Sequence, residues 1–228
     1  MTVLEALAAR VADGLADLAA RPERAAVVIP GERGDRIVVD LRDFPLHHDD
    51  VTTFFVDVGL CPVPWVAWLH EISFAQARER VPDEADGMVR DRLTGPGMGG
   101  YWDIRGRDLG PAVRDLLPAL RIALDGRFLP LLPREALRAR IRSGDLYPAA
   151  GVYGDPRVTQ MLCVLEDMPD GDRAQLVEYF RRCAAVGDLD LGRLADWLDS
   201  DPAGAGSGTG AVRPAPDGAV AADRQEDG

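Results

Sequence analysis

The chain contains no lysine and no asparagine, so every basic side chain is an arginine. Without lysine there can be no Schiff-base chemistry and no P-loop phosphate cradle. The bias itself fits a GC-rich, bacterial genome. Cysteine is scarce: Cys61, Cys163 and Cys183 lie far apart with no CxxC pair. Neither a disulfide framework nor a thiolate metal site is therefore expected; three reduced thiols packed as small apolar groups are. Histidine is confined to His47, His48 and His70. The only serines are Ser73, Ser143, Ser200 and Ser207, and none sits in a GxSxG elbow. No window approaches the ~20 apolar residues that span a bilayer. Charged residues within the first turns argue against a signal peptide, so a cytoplasmic protein with no membrane span is expected. The net charge of −12 repels nucleic acid and anionic lipid and disfavours both as partners.

What is present is an ordinary globular composition, with 228 residues, 46% hydrophobic and 28% charged, enough to bury a sizeable core. Its richest apolar window is Val51 to Leu69, VTTFFVDVGLCPVPWVAWL. Upstream, Thr2 and Glu5 form a capping box, and Leu4, Leu7, Val11, Leu15 and Leu18 make one apolar helical stripe that Pro22 ends. Strands are expected at 25–29, 36–41, 52–58 and 101–104, the first two as a hairpin across the GERG segment. Gly59 is expected to end the third strand, with a helix over 65–80 and loops over 44–50 and 81–100. From about residue 108 the pattern turns helical, with a kink or break near Leu117 caused by Pro118 and a stop at Gly126. Further helices are expected at 133–142, 156–166, from Asp170 or Asp172 onward, and at 191–198. Residues 199–228 are rich in Gly, Ala, Pro and Asp and read as a disordered acidic tail. The expected fold is α+β: one domain over 1–198 with an antiparallel sheet of about four strands, an N-terminal helix covering it, and a helical C-terminal half.

Several polar residues are candidates for chemistry or recognition. His47, His48, Asp49 and Asp50 cluster before the central strand, but adjacent loop histidines do not converge as an HxxxH pair does, and no metal site is expected. Asp57 and Asp103 are carboxylates inside strands among large apolar side chains, where an ion pair with Arg105 or Arg36 would be structural or would form a recognition site. Trp65 and Trp102 are candidates for a pocket wall. The GPGMGG run at 95–100 opens onto a strand rather than a helix, so it reads as a connection and not a phosphate loop. Arg134, Arg138 and Arg142 share one helical face, either solvated or facing an acidic partner or a phosphate backbone. No cofactor signature is present.

The strand ending FFVDVGL, the turn after it, the YWDI element and the helical run LPALRIALDGRFLPLL together resemble the bacterial family called domain of unknown function 4304. Phe54 to Gly59 is similar to that family's FxVNxG run, and Tyr101-Trp102-Asp103 to its Asp-Trp-Trp element. Asp57 stands where the family has Asn, and the second Trp is missing. The resemblance covers about residues 1–145 and implies a small interaction module of immunity type, with no activity, cofactor or site residue to carry over. The expected function is a non-catalytic cytoplasmic module that binds another protein, immunity-like or regulatory, with an acidic surface suited to a basic partner. The alternative is an enzyme with an acid/base site between the sheet and the 65–100 insert, built on Asp57, Asp103, His47 or His48. Oligomeric state is left open.

Overall fold

One antiparallel sheet organises the computed structural model. Its strands are β1 (Arg21–Glu23), β2 (Ala26–Pro30), β3 (Arg36–His48), β4 (Val51–Cys61), β5 (Val89–Leu93) and β6 (Trp102–Arg105). They pair in the order β1-β2-β3-β4-β5, while β6 pairs with β4 beyond the end of β5. The structure describes residues 1–48, 50–81, 83–97, 99–142, 170–187 and 189–200, without the side chains of 45–48, 142, 170, 189 and 190. The expected helix at 156–166 lies outside the described residues, as do Cys163 and the expected 199–228 tail apart from Asp199, which is the last residue of a helix, and Ser200.

Helix α1 (Val3–Gly14) carries the capping box, with the Glu5 N–H donating to Thr2 Oγ1 at 3.1 Å, and buries Leu4, Leu7 and Val11 on the sheet. It stops at Gly14, before the proline: a 3-10 turn at Ala16–Leu18 ends in Ala19 with a left-handed φ of 53°, and Pro22 lies in the exposed edge strand β1. A proline on an edge costs the ladder little. The sheet's inner face is apolar at its centre, with Val27 and Ile29, then Ile37, Val39 and Leu41, then Phe54, Val56, Val58 and Leu60, all buried, while Asp43 opposite Phe54 and Asp91 opposite Val58 lie toward its margins. This alternation is the period-two pattern read in the sequence.

The α+β class is as expected, but the sheet has two further strands. β1 is short and fully exposed, and β5 reads VRDRL, so neither shows the apolar run that marks a strand in sequence. β3 continues through the segment expected as a loop, and a register shift between Phe44 and His48 accommodates Pro45 there. Gly59 does not end β4; the strand runs on to Cys61.

The expected 65–80 helix is two helices, α2 (Val63–His70) and α3 (Phe74–Glu79), separated at Glu71 with a left-handed φ of 52° and restarted by a Ser73/Gln76 capping box. Arg36 closes α3, donating to the carbonyls of Ala77 (2.8 Å), Arg78 (2.6 Å) and Arg80 (2.6 Å), which the helix end leaves open. Helix α4 (Gly110–Ala123) passes uninterrupted through Pro118. Arg114 and Pro118 are both exposed, so the carbonyl that loses its donor faces water. Nor does Gly126 stop the chain, because it lies within a wide i→i+5 turn at Leu124–Phe128.

Helices α5 (Arg134–Arg142), α6 (Asp170–Ala185) and α7 (Leu189–Asp199) complete the described chain. Trp197 of α7 anchors to the α2–α3 unit: its Nε1–H donates to the Ile72 carbonyl at 3.1 Å, and its ring lies 5.8 Å from Trp68 and 5.9 Å from Phe74. Arg134 corrects the reading of a solvated or partner-facing basic face. It is buried, and its Nε donates to Asp35 Oδ2 at 2.7 Å while Nη2 donates to Oδ1. The same Asp35 accepts the Val63 N–H at 2.8 Å, at the start of α2. Arg138 is also buried and pairs with Glu135 at 2.8 Å. The side chain of Arg142 lies outside the described residues.

Candidate functional site

The sheet's outer face is polar at its centre and aromatic at one end. Alternation along the strands places Asp40, Arg42 and Phe44 of β3, Thr53, Phe55 and Asp57 of β4, Arg90 and Arg92 of β5, and Asp103 of β6 on this face. Asp40 stands directly opposite Asp57, Asp57 opposite Arg92, and Thr53 opposite Asp103. Like charges so placed are unfavourable unless cations intervene.

A 3-10 turn at Glu84–Asp86 covers one end of this face. It comes so close that a Cβ on Gly59 would sit 3.0 Å from the Glu84 carbonyl, and Met88 N–H donates to Leu60 O at 2.8 Å. The turn brings buried Glu84 over the sheet, where its Oε1 accepts from Arg42 and lies 3.6 Å from Arg90. Its neighbour Asp86 is 2.7 Å from His70 Nε2 and 3.6 Å from Arg80. Asp57 is held by both arms of Arg92, at 2.7 and 3.1 Å, a planar two-point match that fixes both groups. Each of these acids thus has an arginine beside it.

Phe44, Phe55 and Tyr101 form a half-buried cluster at the opposite end. Tyr101 stacks on Phe44 at 5.3 Å, Phe55 meets both edge-on at 4.9 and 5.8 Å, and the Arg92 guanidinium lies 4.2 Å above the Phe55 ring. The glycine-rich run explains how Tyr101 is held. Gly95 N–H donates to Gly100 O (2.8 Å), Gly97 N–H donates to Tyr101 O (3.1 Å), and a Cβ on Gly99 would lie 2.5 Å from the Tyr101 hydroxyl. This loop packs on a tyrosine; among the described residues it is not placed as a phosphate cradle.

Of the predicted residues, Asp57 and Asp103 do share one face, but they do not converge. Asp103 pairs with the Thr53 hydroxyl at 2.9 Å, four residues along β4 from Asp57, or about 13 Å at strand rise. Neither pairs with Arg36, whose donors go to carbonyls, nor with Arg105, which is exposed opposite Val51. Trp65 is buried in α2, and Trp102 is on the inner face, with Nε1–H donating to Leu93 O at 3.2 Å. His47 and His48 lie at the end of β3, and their side chains are outside the described residues. Among the described residues no three His, Cys, Asp or Glu side chains are grouped to hold a metal ion. Burial pushes the Cys61 thiol well above its ordinary pKa, with Asp86 adding to the effect, so this cysteine is not an activated nucleophile.

Nothing in the sequence marks Glu84, Arg92 or Phe44 as residues of a site. The first two lie in a segment expected to be a loop, and Phe44 at the start of another. Asp40 is equally unmarked. Burial raises its pKa, Arg42 opposes the shift, and Asp57 and Asp83 add to it. Between its unfolded and its raised folded value the native state binds more protons than the unfolded chain, so stability falls as pH rises through that window. Asp40→Asn is therefore expected to stabilise the protein at neutral pH and to have no effect below the unfolded value. Urea midpoints at acidic and neutral pH check this; a lower midpoint for Asp40→Asn at neutral pH would show that the charge is favourable.

Comparison with known proteins adds no relative: no family model, no curated protein and no solved structure matches the chain.

Proposed function

We propose that the protein is a non-catalytic binding module that docks another protein on the aromatic end of its outer sheet face. The observation that carries this is the Phe44–Phe55–Tyr101 cluster, three rings held half-buried beside Arg92. Aromatic and arginine side chains with little freedom left to lose are what dominate binding surfaces. The adjoining carboxylates support the same reading, since Asp57 and Glu84 are each ion-paired with an arginine. The chain's net charge of −12 favours a basic partner. The resemblance of Phe54–Gly59 and Tyr101–Asp103 to the 4304 family adds an immunity-like or regulatory role to the proposal. The free thiols of Cys61 and Cys183 fit a reducing cytoplasm.

Affinity capture from cells that encode the protein tests the docking surface. The native chain is expected to retain a specific protein, and Phe55→Ala or Tyr101→Ala to weaken its retention at least about tenfold with an unchanged circular dichroism spectrum. Capture indifferent to both substitutions overturns the reading. A second reading, an acid/base enzyme between the sheet and the 65–100 insert, is favoured only by the raised pKa of Asp40 beside Asp57; it requires an activity that Asp40→Asn abolishes.

A further inference from the structure

We infer that the cleft between α1 and the start of α4, on the side of the sheet away from the docking face, binds a small organic phosphate through Arg10, Arg107 and Arg114. The cleft is open to solvent on one side and has a volume of about 620 Å³, a size suited to a small-molecule ligand. The two helices lie side by side in parallel: Leu117 packs where a Cβ on Gly14 would stand, and Arg121 pairs with Asp17. The offset of 104 residues in that ion pair, applied two turns earlier, sets Arg114 level with Arg10. One end of the helix pair is thus closed by opposite charges, while the other juxtaposes two arginines and adds Arg107 from the turn before α4. None of the three makes an ion pair or hydrogen bond with any described residue. Arginines brought together with no carboxylate in direct contact repel one another, and a dianion removes that repulsion while matching their planar donors.

The remaining wall limits the ligand class. Leu109, Val113 and Leu117 supply an apolar surface for an organic body. Asp108 is occupied, its Oδ1 accepting the Gly110 N–H at 2.9 Å. Asp13, on the wall beside Arg10, repels an extended polyanion, which favours one phosphate group over a nucleic-acid backbone. The inference is independent of the docking proposal, because no residue is shared.

Calorimetric titration of the full chain with phenyl phosphate tests it, with phenol as the neutral control and a short single-stranded DNA as the polyanion. Phenyl phosphate is expected to saturate with a Kd of about 1 mM or tighter, and phenol not to bind. Arg10→Gln and Arg114→Gln are each expected to weaken phenyl phosphate binding about tenfold, with thermal melting unchanged because both side chains are exposed. Failure to saturate at about 10 mM, binding unaffected by both substitutions, or preference for the DNA overturns the inference.

Discussion

Asp35→Ala is expected to lower the unfolding free energy by about 4 kcal/mol, among the largest effects of any single polar substitution in this chain. The carboxylate is buried, as is its partner Arg134, and the two are 99 residues apart in sequence. Truncation leaves a guanidinium in the interior facing the place where its counter-charge stood, and it removes the acceptor of the Val63 N–H at the start of α2. Both losses fall on groups that water cannot reach to compensate. The pair itself is a different matter. Two ions taken out of water recover little more than their desolvation, so Asp35→Leu combined with Arg134→Met is expected to be milder than Asp35→Ala alone. Urea unfolding of the two variants decides between these outcomes. A double variant less stable than Asp35→Ala would mean that the ion pair contributes a large net stabilisation.

This contact also marks the limit of what the residues reveal in order. The apolar stripe of α1, its capping box and the alternation Phe54, Val56, Val58 are local patterns, and each stands in the structure where periodicity places it. Nothing local tells Arg134 and Arg138, spaced by one helical turn, from a solvated face, because burial of an arginine depends on where its acid lies in the fold. β5 was illegible for a related reason: Arg90, Asp91 and Arg92 read as loop residues until β4 supplies Asp57 opposite Arg92. Asp57 stands out in the sequence as a carboxylate inside a strand among large apolar side chains. Its explanation is an ion pair on the outer face, beside an aromatic cluster whose members come from three separate stretches of chain.

Glycine read as a breaker fails in the same way at Gly59 and Gly126, for opposite physical reasons. A Cβ at Gly59 would lie 3.0 Å from the Glu84 carbonyl and 3.3 Å from the Glu84 and Gly87 Cα atoms, all of them backbone. A Cβ at Gly126 would meet nothing within 4 Å. Gly59→Val is accordingly expected to cost about 3 kcal/mol, since two further methyls must displace the turn that packs on β4. Gly126→Ala is expected to be neutral or stabilising by up to about 1 kcal/mol, because alanine is the better helix former. The first substitution also tests how the outer face is assembled. The turn that Gly59 admits carries Glu84 to Arg42 and Arg90, and Asp86 to His70. Lifting it is expected to release His70 into solvent, visible as a shift of its imidazole proton resonances. Phe54→Ala, which costs a similar amount by opening a cavity on the inner face, leaves the turn seated and His70 unshifted. A shift in both variants would show general loosening, and a shift confined to Gly59→Val would show that the absence of one Cβ holds the charged half of the outer face together.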